Sequence, residues 1–107
     1  METHCVRIKL REGQLHAVAA WAEEVNRRRA EAVATMKNEG IAWECAFLER
    51  ASDGDYLIYI IRAENLAAAL PSKNPLPGSI DAFHKEFKKS AWESQSILPP
   101  LIDIEAQ

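Results

Sequence analysis

The distribution of apolar and polar positions along the chain predicts four β-strands. Residues 4–10 alternate apolar and polar side chains, and residues 41–51 also follow a two-residue repeat, so each segment presents one largely apolar face. Residues 56–62 are apolar at both sets of alternating positions, which is typical of a central strand covered on both faces. Residues 98–105 include Pro99 and Pro100 and alternate again after them, which predicts a fourth strand at an edge of the sheet.

In two longer segments the apolar residues recur every three or four positions, which predicts amphipathic helices. Residues 14–39 form one long predicted helix, followed by Gly40, a residue suited to the left-handed conformation that often ends helices. Residues 79–94 form the second predicted helix, with Ser79 as its N-cap. Each helix carries an apolar stripe that must pack against the sheet.

The predicted order of the elements is strand, helix, strand, strand, helix, strand. A short helical piece at residues 64–70 and a proline-rich loop at residues 71–78 separate the third strand from the second helix. With short right-handed connections this order gives a ferredoxin-like βαββαβ fold, an α+β architecture with two main helices on one face of a four-stranded antiparallel sheet, in the strand order 4-1-3-2. No interdomain linker interrupts residues 1–107, which predicts a single domain.

The face of the predicted sheet that does not contact the helices must also be buried. The third strand offers apolar side chains to both faces, and a chain of 107 residues has no further layer of its own for the second face. We therefore expect a homodimer in which two sheets pack face to face, a dimeric α+β barrel. Arg7 on the first strand and Asp103 on the fourth lie opposite the apolar faces of their strands, so we expect them to pair across the sheet and to set the register of the dimer.

Composition and charge narrow the classes of function. Acidic residues outnumber basic ones by 16 to 13, which gives a formal net charge of −3, whereas a general nucleic-acid binder is basic. Residues 1–4 lack the basic and apolar regions of a secretion signal, and no apolar run is long enough to span a bilayer, so we expect a cytoplasmic protein without a membrane role. Cys5 and Cys45 lack metal-ligand spacing, and we interpret them as small buried apolar residues.

Four segments of the chain carry a family resemblance: residues 21–28 (WAEEVNRR), 53–59 (DGDYLIY), 80–89 (IDAFHKEFKK) with Trp92 and Glu93, and 101–103 (LID). They span nearly the whole chain, and the Asp-Ala-Phe-His-Lys stretch at residues 81–85 is the most specific part of them. These segments resemble the dimeric α+β barrel superfamily, and within it a family of uncharacterised bacterial proteins. The resemblance implies the fold and a dimer. Because the superfamily includes antibiotic-biosynthesis-type monooxygenases, haem-degrading enzymes, muconolactone-isomerase-like proteins and stress-response proteins, it does not imply one particular reaction.

His84 is the principal candidate for a catalytic residue. It lies on or beside the apolar stripe of the second helix, so we expect a partly buried imidazole that is able to act as a general base. Haem-degrading relatives place a ligand histidine on the corresponding helix, so the resemblance also implies haem binding through His84 as an alternative. A structural histidine, satisfied by hydrogen bonds within the protein, is the third interpretation. Lys85, Lys88 and Lys89 on the same helix are interpreted as a solvated face.

Further candidates for binding a ligand are Arg28, Glu44, Tyr59 and Trp92. Arg28 and Arg29 lie where the apolar stripe of the first helix should continue, so we expect at least one guanidinium to face the sheet and to need an anion. Glu44 is the internal candidate for that anion, and the alternative is an ordinary ion pair without a ligand. Tyr59 and Trp92 are expected to form aromatic walls, unless they are core residues only.

The sequence therefore favours a small cytoplasmic homodimer that binds an apolar or aromatic small molecule between helices and sheet. It is expected to catalyse either a monooxygenase-like oxygenation or an isomerisation, in both cases without a bound cofactor. His84 is expected to move protons, while Arg28 or Glu44 orients a polar group of the ligand. The alternatives are a non-catalytic regulatory or scaffolding dimer, in which the same residues are structural, and a haem-binding protein.

Overall fold

The computed structural model of the chain describes residues 1–68 and 75–106. The strands are β1 (Glu2–Leu10), β2 (Ile41–Ala51), β3 (Gly54–Ala63) and β4 (Trp92–Leu98), and the helices are α1 (Leu15–Arg27), α2 (Arg29–Glu39) and α3 (Ile80–Ala91). Of the helical piece predicted at residues 64–70, Leu66–Ala68 form a single 3₁₀ turn. Residues 69–70 of that piece, and residues 71–74 of the predicted loop, lie outside the described residues.

The four strands form one antiparallel sheet in the order β2-β3-β1-β4, which is the predicted order 4-1-3-2. Ile8 of β1 lies opposite Leu57 of β3, and Leu57 lies opposite Leu48 of β2, so these three residues share one face. The helices pack on this face. Ile8 and Leu57, 0% and 2% exposed, form a core cluster with Trp21 of α1 and Phe87 of α3. The two central strands thus supply the floor of the core.

The first predicted helix is interrupted. The prediction of one helix over residues 14–39 is wrong at Arg28, where the backbone leaves the helical region (φ −105°, ψ 37°) and separates α1 from α2. The Arg28 guanidinium donates to the carbonyl oxygen of Gly78 at 2.8 Å, which ties this break to the turn before α3. Helix α2 ends at Gly40, whose left-handed conformation (φ 78°) confirms the predicted terminator.

The C-terminal part of the chain also differs from the prediction. The second predicted helix, residues 79–94, ends at Ala91, although the Ser79 side chain does cap it by accepting from the backbone of Ala82. The last strand is Trp92–Leu98 instead of residues 98–105. It ends where Pro99 and Pro100 begin, because proline has no N–H group to donate to a sheet. Because β4 is an edge strand, it can expose most of its side chains to water, and its sequence is largely polar. It therefore lacks the apolar–polar alternation from which strands are predicted.

This shift of the last strand removes the predicted pairing of Arg7 with Asp103. Arg7 lies opposite Ser96 in the sheet, whereas Asp103 is exposed beyond the end of β4. The Arg7 guanidinium instead pairs with Glu49 of β2 at 3.0 Å. It also lies 3.6 Å from the ring centroid of Tyr56, a cation–π arrangement that covers this buried ring.

The sheet face opposite the helices carries apolar side chains that are open to solvent in the described structure. Phe47 is 57% exposed, and Ile58 and Ile60 are only partly buried. Cys5 and Cys45 lie on either side of Ile60, each half-buried, so the prediction that they are buried is not met in the single chain. Because a whole strand separates them, these two thiols are not placed to form a disulfide with each other.

Candidate functional site

A cavity of about 530 Å³ lies between the helices and the sheet, in the size range of small-molecule sites. Helices α1 and α2, helix α3, and strands β2 and β3 all contribute to its lining. Its apolar walls are formed by Trp21, Val25, Ala32, Met36, Ile41, Ile61 and Ile80. Its polar groups belong to Thr35, Glu39, Glu44, Tyr59, Asp81, His84, Lys85 and Lys88. The cavity therefore combines a mainly apolar surface with groups that can bind or move protons.

His84 is fixed in this cavity by a hydrogen bond from Trp21. The indole Nε1 of Trp21 donates to Nδ1 of His84 at 3.0 Å, and the two rings stack with their centroids 5.8 Å apart. Indole can only donate, so Nδ1 must present its lone pair, and the proton of the neutral imidazole lies on Nε2. Among the described residues no group hydrogen-bonds to Nε2. The Nε2–H group is therefore the donor that His84 can offer to a molecule in the cavity.

The protonation state of His84 follows from its surroundings. Burial lowers the pKa of His84 to about 4, and the nearby Lys88 ammonium contributes in the same direction. At neutral pH the ring is therefore uncharged. With Nδ1 accepting from Trp21 and Nε2 protonated, His84 suits a hydrogen-bond donor better than the predicted general base.

Glu44 and Tyr59 form a second polar pair on the floor of the cavity. They lie on adjacent strands, and the Tyr59 hydroxyl and the Glu44 carboxylate each shift the pKa of the other. Burial raises the pKa of Glu44, although the neighbouring Tyr59 hydroxyl and the charge of Lys88 oppose this effect. Burial and the Glu44 carboxylate together raise the pKa of Tyr59, which keeps its hydroxyl protonated. Glu44 is thus a carboxylate whose affinity for a proton is increased by its position.

Lys88 and Glu39 complete the charged groups that we consider part of the site. Burial lowers the pKa of Lys88, and the carboxylates of Glu39 and Glu44 partly offset this effect. The pKa of Glu39 is raised, mainly by burial and also by Asp81 and Glu44. The prediction that Lys88 belongs to a solvated helix face is wrong, because its side chain is half-buried in the cavity wall.

Arg28 lies outside the cavity, although it was predicted to bind a ligand or Glu44. Its guanidinium pairs with Glu31 at 2.7 Å and with Glu24 at 3.6 Å. Glu31 in turn accepts from the backbone N–H of Ile80, at the start of α3. The predicted partnership of Arg28 with Glu44 is therefore wrong, and Arg28 joins α1, α2 and α3 as a structural residue.

Trp92 is also not part of the cavity lining. It begins β4, and its Nε1 is buried without a hydrogen-bond partner among the described residues. The Lys88 Nζ atom lies 5.0 Å from the centroid of its ring, so Trp92 supports the site through Lys88. A signal for Lys88 was present in the sequence. Asp81, His84, Lys85 and Lys88 follow the spacing i, i+3, i+4, i+7, which places all four on one side of α3.

The arrangement at His84 does not fit an iron ligand. To bind haem iron through Nε2, the imidazole would have to move its proton to Nδ1, which would then face the N–H donor of Trp21. In the described part of the chain, no group of three or more histidine, cysteine, aspartate or glutamate side chains is placed to hold a metal ion. No described helix has the length and apolar composition needed to cross a bilayer.

The chain matches a protein family over nearly its whole length. Residues 1–105 match a family described as a family of unknown function (DUF6176). No curated protein matches the chain.

Proposed function

The chain belongs to the family of unknown function DUF6176, and we propose that it binds a small apolar or aromatic molecule that carries a carbonyl group. The observation that carries this proposal is the cavity between helices and sheet, which pairs apolar walls with the Nε2–H donor of His84 and the carboxylate of Glu44. A carbonyl oxygen is the acceptor that such a donor recognises, while the aromatic and aliphatic walls bury the rest of the molecule.

The same groups support proton transfer as the chemistry of the site. In our proposal Glu44 removes a proton from the carbon next to the carbonyl, and the bound molecule becomes an enolate. His84 stabilises the developing negative charge on oxygen by donating from Nε2. In a β,γ-unsaturated ketone the enolate extends over the C=C bond, and return of the proton to the γ-carbon completes an isomerisation without a cofactor. In the oxygenation alternative, the same anion reacts with dioxygen as co-reactant.

The test uses 2-tetralone, a bicyclic ketone with exchangeable protons next to its carbonyl. Proton NMR in D₂O should show deuterium entering these positions faster with the protein than in buffer. We expect Glu44→Gln to slow this exchange by about 100-fold, in line with the contribution of a general base, while quenching of tryptophan fluorescence by 2-tetralone persists.

The matched control for this experiment is Glu23→Gln, which changes an exposed carboxylate of α1 outside the cavity lining. This variant should exchange like the wild type. Equal rates in Glu44→Gln and wild type would refute the role of Glu44. Binding without any exchange by the wild type would favour the alternative function, a non-catalytic regulatory or scaffolding protein.

We further propose that the chain has a ferredoxin-like fold and works as a cytoplasmic homodimer of the dimeric α+β barrel type. The support is the apolar face opposite the helices, where Phe47 and Trp43 are 57% and 46% exposed in the single chain. A second sheet packed on this face would remove these side chains from water. Arg7 and its partner Glu49 lie on the same face, so in this proposal they set the register in place of Arg7 and Asp103.

Sedimentation of the protein at micromolar concentration tests this assembly. The wild type should sediment as a dimer. Phe47→Glu places a charge in the proposed interface and should weaken the dimer at least tenfold. Ala34→Glu adds the same charge on the exposed surface of α2 and should leave the dimer intact. A monomeric wild type would contradict the proposal.

A further inference from the structure

The amino group of Lys88 is held in an unusual position for a lysine. Its side chain is half-buried in the wall of the cavity, and its Nζ lies 5.0 Å from the centroid of the Trp92 ring. No carboxylate oxygen lies within ion-pair distance of this atom among the described residues, although Glu39 and Glu44 line the same cavity. Most lysines keep their ammonium group in water, so a half-buried one without a close anion needs an explanation.

Burial shifts Lys88 towards its uncharged form. Burial lowers the pKa of Lys88 more than the attraction of Glu39 and Glu44 raises it. His84, one turn earlier on α3, is itself neutral and offers no negative charge. A larger fraction of Lys88 is therefore present as the free amine than for a lysine in water, and the free amine is the nucleophile.

We propose that Lys88 reacts with the carbonyl group of an aldehyde or ketone bound in the cavity and forms an iminium ion. This inference rests on the proposed function, because it names the carbonyl compound as a covalently held substrate. The Nζ lone pair attacks the carbonyl carbon and gives a carbinolamine. A carboxyl group of the cavity, Glu44 or Glu39, donates a proton to the hydroxyl, which leaves as water, and the C=N bond forms.

The iminium ion connects Lys88 with the proton transfer assigned to Glu44. A positively charged nitrogen on the former carbonyl carbon withdraws electrons more strongly than oxygen does. The neighbouring C–H bond becomes more acidic, and its proton passes to Glu44 as an enamine forms.

The direct test traps the iminium ion with 2-naphthaldehyde. The protein is incubated with this aldehyde and sodium cyanoborohydride, which reduces the C=N bond to a stable amine and spares the free aldehyde. Mass spectrometry of the intact chain and of its peptides then locates the adduct. We expect one adduct per chain on Lys88, and at least a tenfold lower yield on Lys89, the exposed neighbour in the sequence.

The variants for this test are Lys88→Arg and Lys89→Arg. Arginine keeps a cation over the Trp92 ring, so Lys88→Arg should fold, and an unchanged thermal midpoint verifies this. The adduct should disappear in Lys88→Arg and persist in Lys89→Arg. An adduct on Lys85 in its place, or one spread equally over the lysines, would overturn the assignment.

Exchange of 2-tetralone distinguishes failure of this inference from failure of the proposed function. If the iminium ion carries the reaction, Lys88→Arg should lose the exchange as Glu44→Gln does, while still binding the ketone. If no adduct forms and Lys88→Arg exchanges like the wild type, the covalent step is refuted and the proposed proton transfer stands. If the adduct forms but the wild type does not exchange the protons of 2-tetralone, Lys88 is confirmed as the reacting amine and the proposed role of Glu44 is refuted.

Discussion

Replacing Trp21 with alanine is expected to lower the free energy of unfolding by about 3–5 kcal/mol, the range for removing a large aromatic side chain from a core. Trp21 is 6% exposed and stacks on Phe87 with the ring centroids 4.8 Å apart. It also contacts the sheet at Tyr59 and holds His84 through its Nε1 atom. One side chain thus joins α1, α3 and β3, so the loss should exceed that of an ordinary apolar contact. Urea unfolding followed by circular dichroism measures it.

Trp21→Phe separates the packing of this residue from its hydrogen bond. Phenylalanine preserves much of the stacking on Phe87 but leaves Nδ1 of His84 without a donor. We expect this variant to lose about 1–3 kcal/mol, the cost of an unsatisfied buried acceptor. If Trp21→Ala is no less stable than Trp21→Phe, the aromatic stack contributes little, and the core would have to be held mainly by its aliphatic residues.

Lowering the pH is expected to destabilise the protein through His84. The unfolded chain binds a proton at this residue near the ordinary pKa of 6.5, whereas the folded chain binds it only near pH 4. Between these values the unfolded state carries the additional proton, so the stability falls as the pH falls from 6.5 to about 4. Since each pH unit corresponds to about 1.4 kcal/mol, this residue should account for a loss of about 3 kcal/mol.

His84→Asn isolates this contribution from that of other titrating groups. The side-chain oxygen of asparagine can accept from Trp21 as Nδ1 does, but the amide does not titrate. Urea unfolding of both proteins at pH 7 and pH 4 gives the difference. The wild type should lose about 3 kcal/mol more than the variant on acidification. Equal losses in the two proteins would show that His84 titrates as it does in the unfolded chain.

Much of the candidate site was visible in the sequence because it lies on regular elements. His84 was identified from its spacing to the apolar stripe of the second helix, and Glu44 and Tyr59 from their places on predicted strands. All three residues line the cavity. Arg28 was misplaced because helical periodicity assumed an unbroken helix, and a local break changes the direction of every later side chain. Lys88 was missed because it was grouped with Lys85 and Lys89 as a solvated face, although its spacing to His84 places it on the side of α3 that lines the cavity.

Periodicity and turn chemistry by themselves determined the order of the strands, the helical segments, the cap at Ser79 and the terminator at Gly40. These features depend on local backbone preferences and on which side of an element is apolar. Both are determined by residues that are close together in the sequence. Only the tertiary structure decided the position of β4, the partners of Arg7 and Arg28, and the tautomer of His84. Each of these depends on groups far apart in the chain, whose contacts and desolvation arise only when the helices close over the sheet.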